Sequence, residues 1–162
     1  MNNNQLTNTI MMIRPFNFAY NIETALDNAY QKTNHKMPSF DIAKKAQIEF
    51  DNFIDILQNS GIQVIKFEDD GVLNTPDSLF PNNWISTHSN GSICLYPMFA
   101  PNRRLERRGD ILNYLKTNYK VKDVIHDFIE NESCGHFLEG TGSMVLDRQN
   151  KIAYACVSKR TS

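Results

Sequence analysis

Apolar side chains fall into short clusters separated by polar turns, and the spacing within each cluster assigns an element. Met11–Ile13 is apolar and leaves at Arg14-Pro15, which predicts a first strand running into a loop. Glu23–Gln31 has a helical pattern, and Pro38 separates it from a stronger one. In that second helix Ile42, Ala46, Phe50, Phe53, Ile54 and Leu57 recur at helical spacing, with Ser39 or Asp41 as the cap and Asn59-Ser60-Gly61 as the stop. Ile62–Phe67 reads as a strand and Asp69-Asp70-Gly71 as a turn. Trp84–Thr87 and Ile93–Tyr96 flank Ser89-Asn90-Gly91, a hairpin signal. Leu105–Leu115 predicts a short helix with Leu105, Ile111, Leu112 and Leu115 inside, and Val121–Ile125 a strand. Met144–Leu146 and Ile152–Val157 form a second hairpin around Asp147–Lys151.

Strands and helices alternate and antiparallel hairpins recur between them, so the expected class is α/β, built from hairpin, helix and strand. The two hairpins hint at a structural repeat. Residues 1–10, rich in Asn, are expected as a flexible tail, and 11–162 as one portion of a domain.

Composition narrows the field. A chain of 162 residues is long enough for one domain with a core, and 41% apolar with 22% charged residues is ordinary for a globular protein. A net charge of -1 gives no footprint for nucleic acid or for an acidic membrane surface. No apolar run reaches the roughly 18 residues of a membrane span, and the N-terminus lacks the pattern of a signal peptide. Three dispersed cysteines, Cys94, Cys134 and Cys156, point to reduced thiols and a cytoplasmic location. Cys94 and Cys156 lie among apolar strand residues and are expected in the core.

The residues that suggest chemistry lie in Thr75–Arg108 and Phe137–Ser143. Asp77 precedes Phe80, and the paired amides Asn82 and Asn83 follow; together they would make a hydrogen-bonding wall for a ligand rich in N–H groups, or else a polar turn capping its own backbone. Arg103 and Arg104 open the predicted helix and could fork onto a carboxylate, or lie on a solvated face paired with nearby glutamates. Glu139 sits in Phe137-Leu138-Glu139-Gly140-Thr141-Gly142, where glycines would let a ligand approach the backbone; the alternative is an ordinary loop glutamate. Cys134-Gly135-His136 would bring a thiol beside an imidazole if the segment were extended, but no further cysteine or histidine lies near enough for a zinc site. The suited ligand is a small amino acid with a planar, nitrogen-rich far end.

At these motifs the chain resembles the guanidino-group-modifying enzymes, the superfamily of arginine deiminase, dimethylarginine dimethylaminohydrolase and the amidinotransferases. It looks closest to the arginine-deiminase-related, citrulline-utilisation hydrolase branch. The resemblance runs through Met12-Ile13-Arg14-Pro15, Thr75-Pro76-Asp77, Phe80 to Trp84, Ser86-Thr87-His88, Leu95 to Met98, Asn102 to Arg108, Phe137 to Asp147, and Tyr154 to Cys156 with Arg160-Thr161. It implies a five-bladed α/β propeller, the pentein fold, made of repeated ββαβ units. It also implies a cysteine that attacks the guanidino carbon to give a thiouronium intermediate, a histidine that moves protons, and an acid that holds the guanidinium. It places Glu139 at that acid and Asp77 at the substrate-binding aspartate. Arg103 or Arg104, with Arg160, fall at the arginines for the substrate carboxylate, and Phe80 lines the pocket. No metal or organic cofactor is implied.

Two departures stand out. Many relatives carry an acidic pair where this chain has Asn82 and Asn83, and amides suit a neutral ureido group, which wants both donors and acceptors, so citrulline is favoured over arginine. The resemblance also places the histidine and the late cysteine beyond Ser162. The expectation is therefore an N-terminal half of a hydrolase for arginine, citrulline or a derivative, inactive alone. The alternative is a non-catalytic, truncated or split-gene product that binds ligand. Its partners would be a C-terminal half chain or a homo-oligomer.

Overall fold

A computed structural model describes residues 6–25, 28, 31–32 and 38–162. The start of the expected tail, residues 1–5, and much of the helix expected over Glu23–Gln31 lie outside the described residues. The described residues fall into two compact units, divided between Phe80 and Pro81.

In the first unit, strand β1 (Thr9–Arg14) begins inside the segment expected as tail. One helical turn, α1 (Ile22–Ala25), and a long helix, α2 (Ser39–Asn59), follow, then strand β2 (Gln63–Glu68). The strands pair in parallel from Thr9↔Gln63 to Arg14↔Glu68, with α2 in the crossover between them. Phe50 and Ile54 are the buried residues of α2, whereas Phe53 is half exposed at the edge of the apolar stripe. Neither Ser39 nor Asp41 caps the helix: Ser39 is already helical and Pro38 occupies the cap position with no side-chain bond. The fixed φ of proline is compatible with a helix start without such a bond. Arg14 forks onto Asp51 of α2, Nε to Oδ1 and Nη2 to Oδ2 at 2.8 Å each.

The second unit opens with a 3-10 turn at Pro81–Asn83, then strands β3 (Ile85–Thr87) and β4 (Ser92–Leu95). They pair antiparallel, with Ser86 opposite Cys94. Gly91, at φ +93, makes the hairpin turn, and a Cβ there would lie 2.8 Å from the Lys120 carbonyl oxygen, so glycine is required. Helices α3 (Pro101–Arg104) and α4 (Gly109–Asn118) lead to β5 (Asp123–Ile125), parallel to β4. This is one ββαβ unit. The helix expected over Leu105–Leu115 is thus two helices, with Leu105 half exposed between them and Ile111 and Leu115 buried on α4. Arg103 and Arg104 close a short helix and do not open a long one, because Pro101 starts the turn.

A 3-10 segment, Asp127–Cys134, and a short helix, α5 (Gly140–Ser143), precede the hairpin of β6 (Met144–Asp147) and β7 (Ile152–Ala155). The unit's buried residues include Trp84, Ile93, Met98 and Ile111. Cys94 is buried as expected, but Cys156 is exposed: β7 ends at Ala155 and all its residues are open to solvent. Cys134 and His136 are exposed too, and the left-handed Gly135 (φ 74) bends the chain between them, so the segment is not extended.

Candidate active site

The second unit gathers Asn83, Arg103, Glu139 and Arg160 around one carboxylate. Glu139 is 1% exposed. Its Oε2 accepts from Asn83 Nδ2 at 3.1 Å and lies 3.7 Å from Arg103 Nη1 and 3.6 Å from Arg160 Nη1. Its Oε1 accepts from the Phe99 backbone N–H at 3.2 Å.

Local backbone fixes this carboxylate. The Glu139 carbonyl accepts from the N–H groups of Gly142 and Ser143, which starts α5. The Glu139 N–H donates to the Arg160 carbonyl, Leu138 bridges to Thr161, and the Ser162 N–H donates to the Phe137 carbonyl. The glycines of this turn do not leave room for a ligand, contrary to expectation. A Cβ at Gly140 would run into the Asn82 carbonyl oxygen, and one at Gly142 into the side-chain amide of Asn83. The space is filled by the Pro81–Asn83 turn, and Gly140, at φ +44, is further held to glycine by its backbone.

The charges nearly balance. Arg103, itself buried, is forked by Glu106, Nε to Oε1 at 2.9 Å and Nη2 to Oε2 at 3.0 Å. A buried ion pair needs such two-pronged geometry to offset its desolvation. Arg104 turns elsewhere: it donates to the carbonyls of Met98 (2.9 Å) and Phe99 (3.2 Å) and lies over the Phe137 ring. Glu132 is bound by Arg107, Nη1 to Oε1 at 2.5 Å and Nη2 to Oε2 at 3.0 Å, and accepts from the Met98 N–H at 2.7 Å. Glu106 and Glu132 were not anticipated. The signal for Glu106 was its spacing from Arg103, which reads equally well as a solvated face until burial separates the two; Glu132, 25 positions from Arg107, had no local signal.

Asn82 is exposed, and its backbone carbonyl accepts from Thr141 Oγ1. In the first unit Asp77 is half buried and accepts from the buried Asn21, Nδ2 to Oδ2 at 2.7 Å. Phe80, in the same unit, is 43% exposed. Among the described residues no group of three His, Cys, Asp or Glu side chains could hold a metal ion. None of the described helices is long and apolar enough to cross a membrane. Burial pushes the Cys94 thiol above its ordinary value, which unsuits it as a nucleophile.

A family model described as N,N dimethylarginine dimethylhydrolase, eukaryotic, matches residues 14–162. A search of the curated proteins found no match. The fold is similar to the N-terminal domain of ArgZ, a cyanobacterial arginine dihydrolase of the ornithine-ammonia cycle, in a substrate-bound mutant form: TM-score 0.62, 15% identity, covering 95% of this chain and 50% of that one. It is similar to AgrE in its ternary complex with ornithine and NAD+, with TM-score 0.64, 17% identity, 95% of this chain and 20% of that one. It is also similar to a dimethylarginine dimethylaminohydrolase adduct with S-methyl-L-thiocitrulline, with TM-score 0.60, 16% identity, 95% and 52%. The chain spans about half the length of the first and third of these, and a fifth of the second.

Proposed function

The chain belongs to the eukaryotic-type N,N-dimethylarginine dimethylhydrolase family, and from that premise we propose that it carries the acid-bearing part of a site that hydrolyses the guanidino or ureido group of arginine, citrulline or a derivative. The observation behind this is the Glu139 carboxylate, aimed by Asn83 and Phe99 and flanked by two guanidinium groups. Such a carboxylate binds a planar N–H fork well. Arg104 and Arg160 keep 30% and 19% of their side chains exposed, so they suit the ligand's α-carboxylate better than Arg103, whose fork Glu106 fills. Asn82 and Asn83 keep the surroundings of Glu139 less negative than an acidic pair would, which favours a ureido end group.

The reading assigns the nucleophilic cysteine and the proton-moving histidine to a part of the site outside this chain, and the fold to part of a five-bladed propeller, of which β3, β4, α4 and β5 make one ββαβ unit. A covalent route is supported by the ArgZ domain captured with a covalently bound reaction intermediate. No cofactor is required.

The test is turnover by the whole protein with arginine, dimethylarginine and citrulline, following ammonia, citrulline and ornithine. Hydrolysis of at least one, lowered by Glu139→Gln, is expected. Full activity in Glu139→Gln would overturn the assignment. Turnover by the 162-residue chain alone, lost in Cys134→Ser, would overturn the placement of the nucleophile and restore the Cys134-Gly135-His136 reading.

A second reading, a non-catalytic chain that pairs with another, draws on the exposed side chains Val145, Ile152, Tyr154 and Val157 on and after the β6–β7 hairpin. Sedimentation at high concentration tests it; a stable monomer would contradict it.

A further inference from the structure

His88, just after β3, stands between two hairpins. Its Nε2 is 2.8 Å from Ser86 Oγ, and Ser86 Oγ is 2.7 Å from Tyr96 Oη. On the other side Arg148, in the turn between β6 and β7, reaches His88 Nδ1 at 3.3 Å and donates to the Thr87 carbonyl at 3.0 Å. Arginine has only donors. Nδ1 must therefore accept, the ring is neutral, and its one proton sits on Nε2, pointing at Ser86. That rules out His88 as a base for Ser86. The Tyr96 ring continues the chain of contacts: a Cβ on Gly140, the residue after Glu139, would lie 3.0 Å from Tyr96 Cδ2.

We infer that His88 is a positioning residue, held as its neutral Nε2–H tautomer by Arg148, which steadies the turn of Glu139 through Ser86 and Tyr96. Its bearing on hydrolysis rests on the role proposed for Glu139; the link itself does not.

The charged and titratable groups around this path are Arg148 from the β6–β7 turn, Cys94 and Tyr96 from and just beyond β4, and Asp123 from β5, which acts on Cys94. Burial, with Arg148 second, lowers the His88 pKa from its ordinary 6.5. A second proton would have to sit on Nδ1, facing a guanidinium. The link is thus complete above pH 6.5 and is lost as pH falls through the lowered value.

Nitrogen-15 NMR of the 162-residue chain tests this directly. The long-range proton–nitrogen pattern of His88 should show Nε2–H at neutral pH, and acid should move the Gly140 and Gly142 amides with the same midpoint as the ring. In His88→Gln, which keeps a donor toward Ser86 and an acceptor for Arg148 but cannot titrate, that midpoint should vanish while the neutral-pH amide positions stay near those of the unchanged chain. An Nδ1–H tautomer, a ring titration that leaves Gly140 and Gly142 still, or the same midpoint in His88→Gln would each overturn the inference. All three are read on the unliganded chain, so a failure of the proposed hydrolysis leaves them unaffected.

Discussion

Asn83 and Glu139, separated by 56 positions in the sequence, meet in a buried hydrogen bond of 3.1 Å from Nδ2 to Oε2. An aspartate at position 83 would set a second carboxylate against the first. Asn83→Asp is expected to lower the stability of the chain by about 1–3 kcal/mol, since a donor is lost and a like charge is gained. Urea denaturation at neutral pH measures it. In the whole protein the same change should shift the ratio of specificity constants toward arginine and away from citrulline; an unchanged ratio would remove the argument for a ureido substrate.

The hydrogen bond also explains a contrast between two glycines. Alanine at Gly142 would press its Cβ into the Asn83 amide, whereas nothing lies within 4 Å of a Cβ at Gly109 in the first turn of α4. Gly142→Ala should cost about 1–3 kcal/mol. Gly109→Ala should be neutral or add up to about 1 kcal/mol, through the entropy of the unfolded chain. Thermal unfolding of the two variants side by side checks the pair.

Glu139→Gln removes the counter-charge shared by Arg103 and Arg160. Arg103 keeps Glu106, so the loss falls mainly on Arg160. A destabilisation on the order of 3 kcal/mol is expected, the scale for breaking a buried ion pair on one side. Glu130→Gln, on an exposed residue, should change stability by less than about 0.5 kcal/mol in the same assay.

The first unit carries its own pH dependence. The hydrogen bonds from Arg14, then its charge, hold the Asp51 carboxyl below its ordinary 3.8, against the opposing effect of burial. A carboxyl whose folded pKa is depressed stabilises fully above its unfolded value and loses that contribution as pH falls through the folded one. Acid denaturation should therefore show a stability loss beginning near pH 4 that is reduced in Asp51→Asn. The side chain is 44% exposed, so the difference should stay below about 1 kcal/mol and shrink in high salt.

Much of this architecture is written into local pattern. The β3–β4 hairpin follows from Ser89-Asn90-Gly91 between two apolar runs, and α2 from the recurrence that ends at Asn59-Ser60-Gly61. Other features could not be read locally. The run Arg103 to Arg108 looks like a solvated helix because Glu106 lies within three residues of every arginine in it, yet Arg103 and Glu106 are buried against each other. Whether an ion pair faces water depends on what packs over it, which spacing does not encode. The glycines of the Glu139 turn announce a close approach, and the sequence does not say that the approaching group is the chain's own Asn82-Asn83. Cys156 resembles a core residue by its neighbours, but core status requires an opposing surface, and β7 offers all its side chains to solvent.

The dependence of Glu139 on Arg160 also has a bearing on synthesis. A ribosome delivers Arg103 and Asn83 well before Glu139, but the guanidinium and carbonyl of Arg160 only later. Until that residue clears the exit tunnel, the Glu139 turn lacks one of its two flanking guanidinium groups and the backbone bond from its own N–H. The acid at the centre of the proposed site should therefore be among the last parts of the second unit to settle during translation.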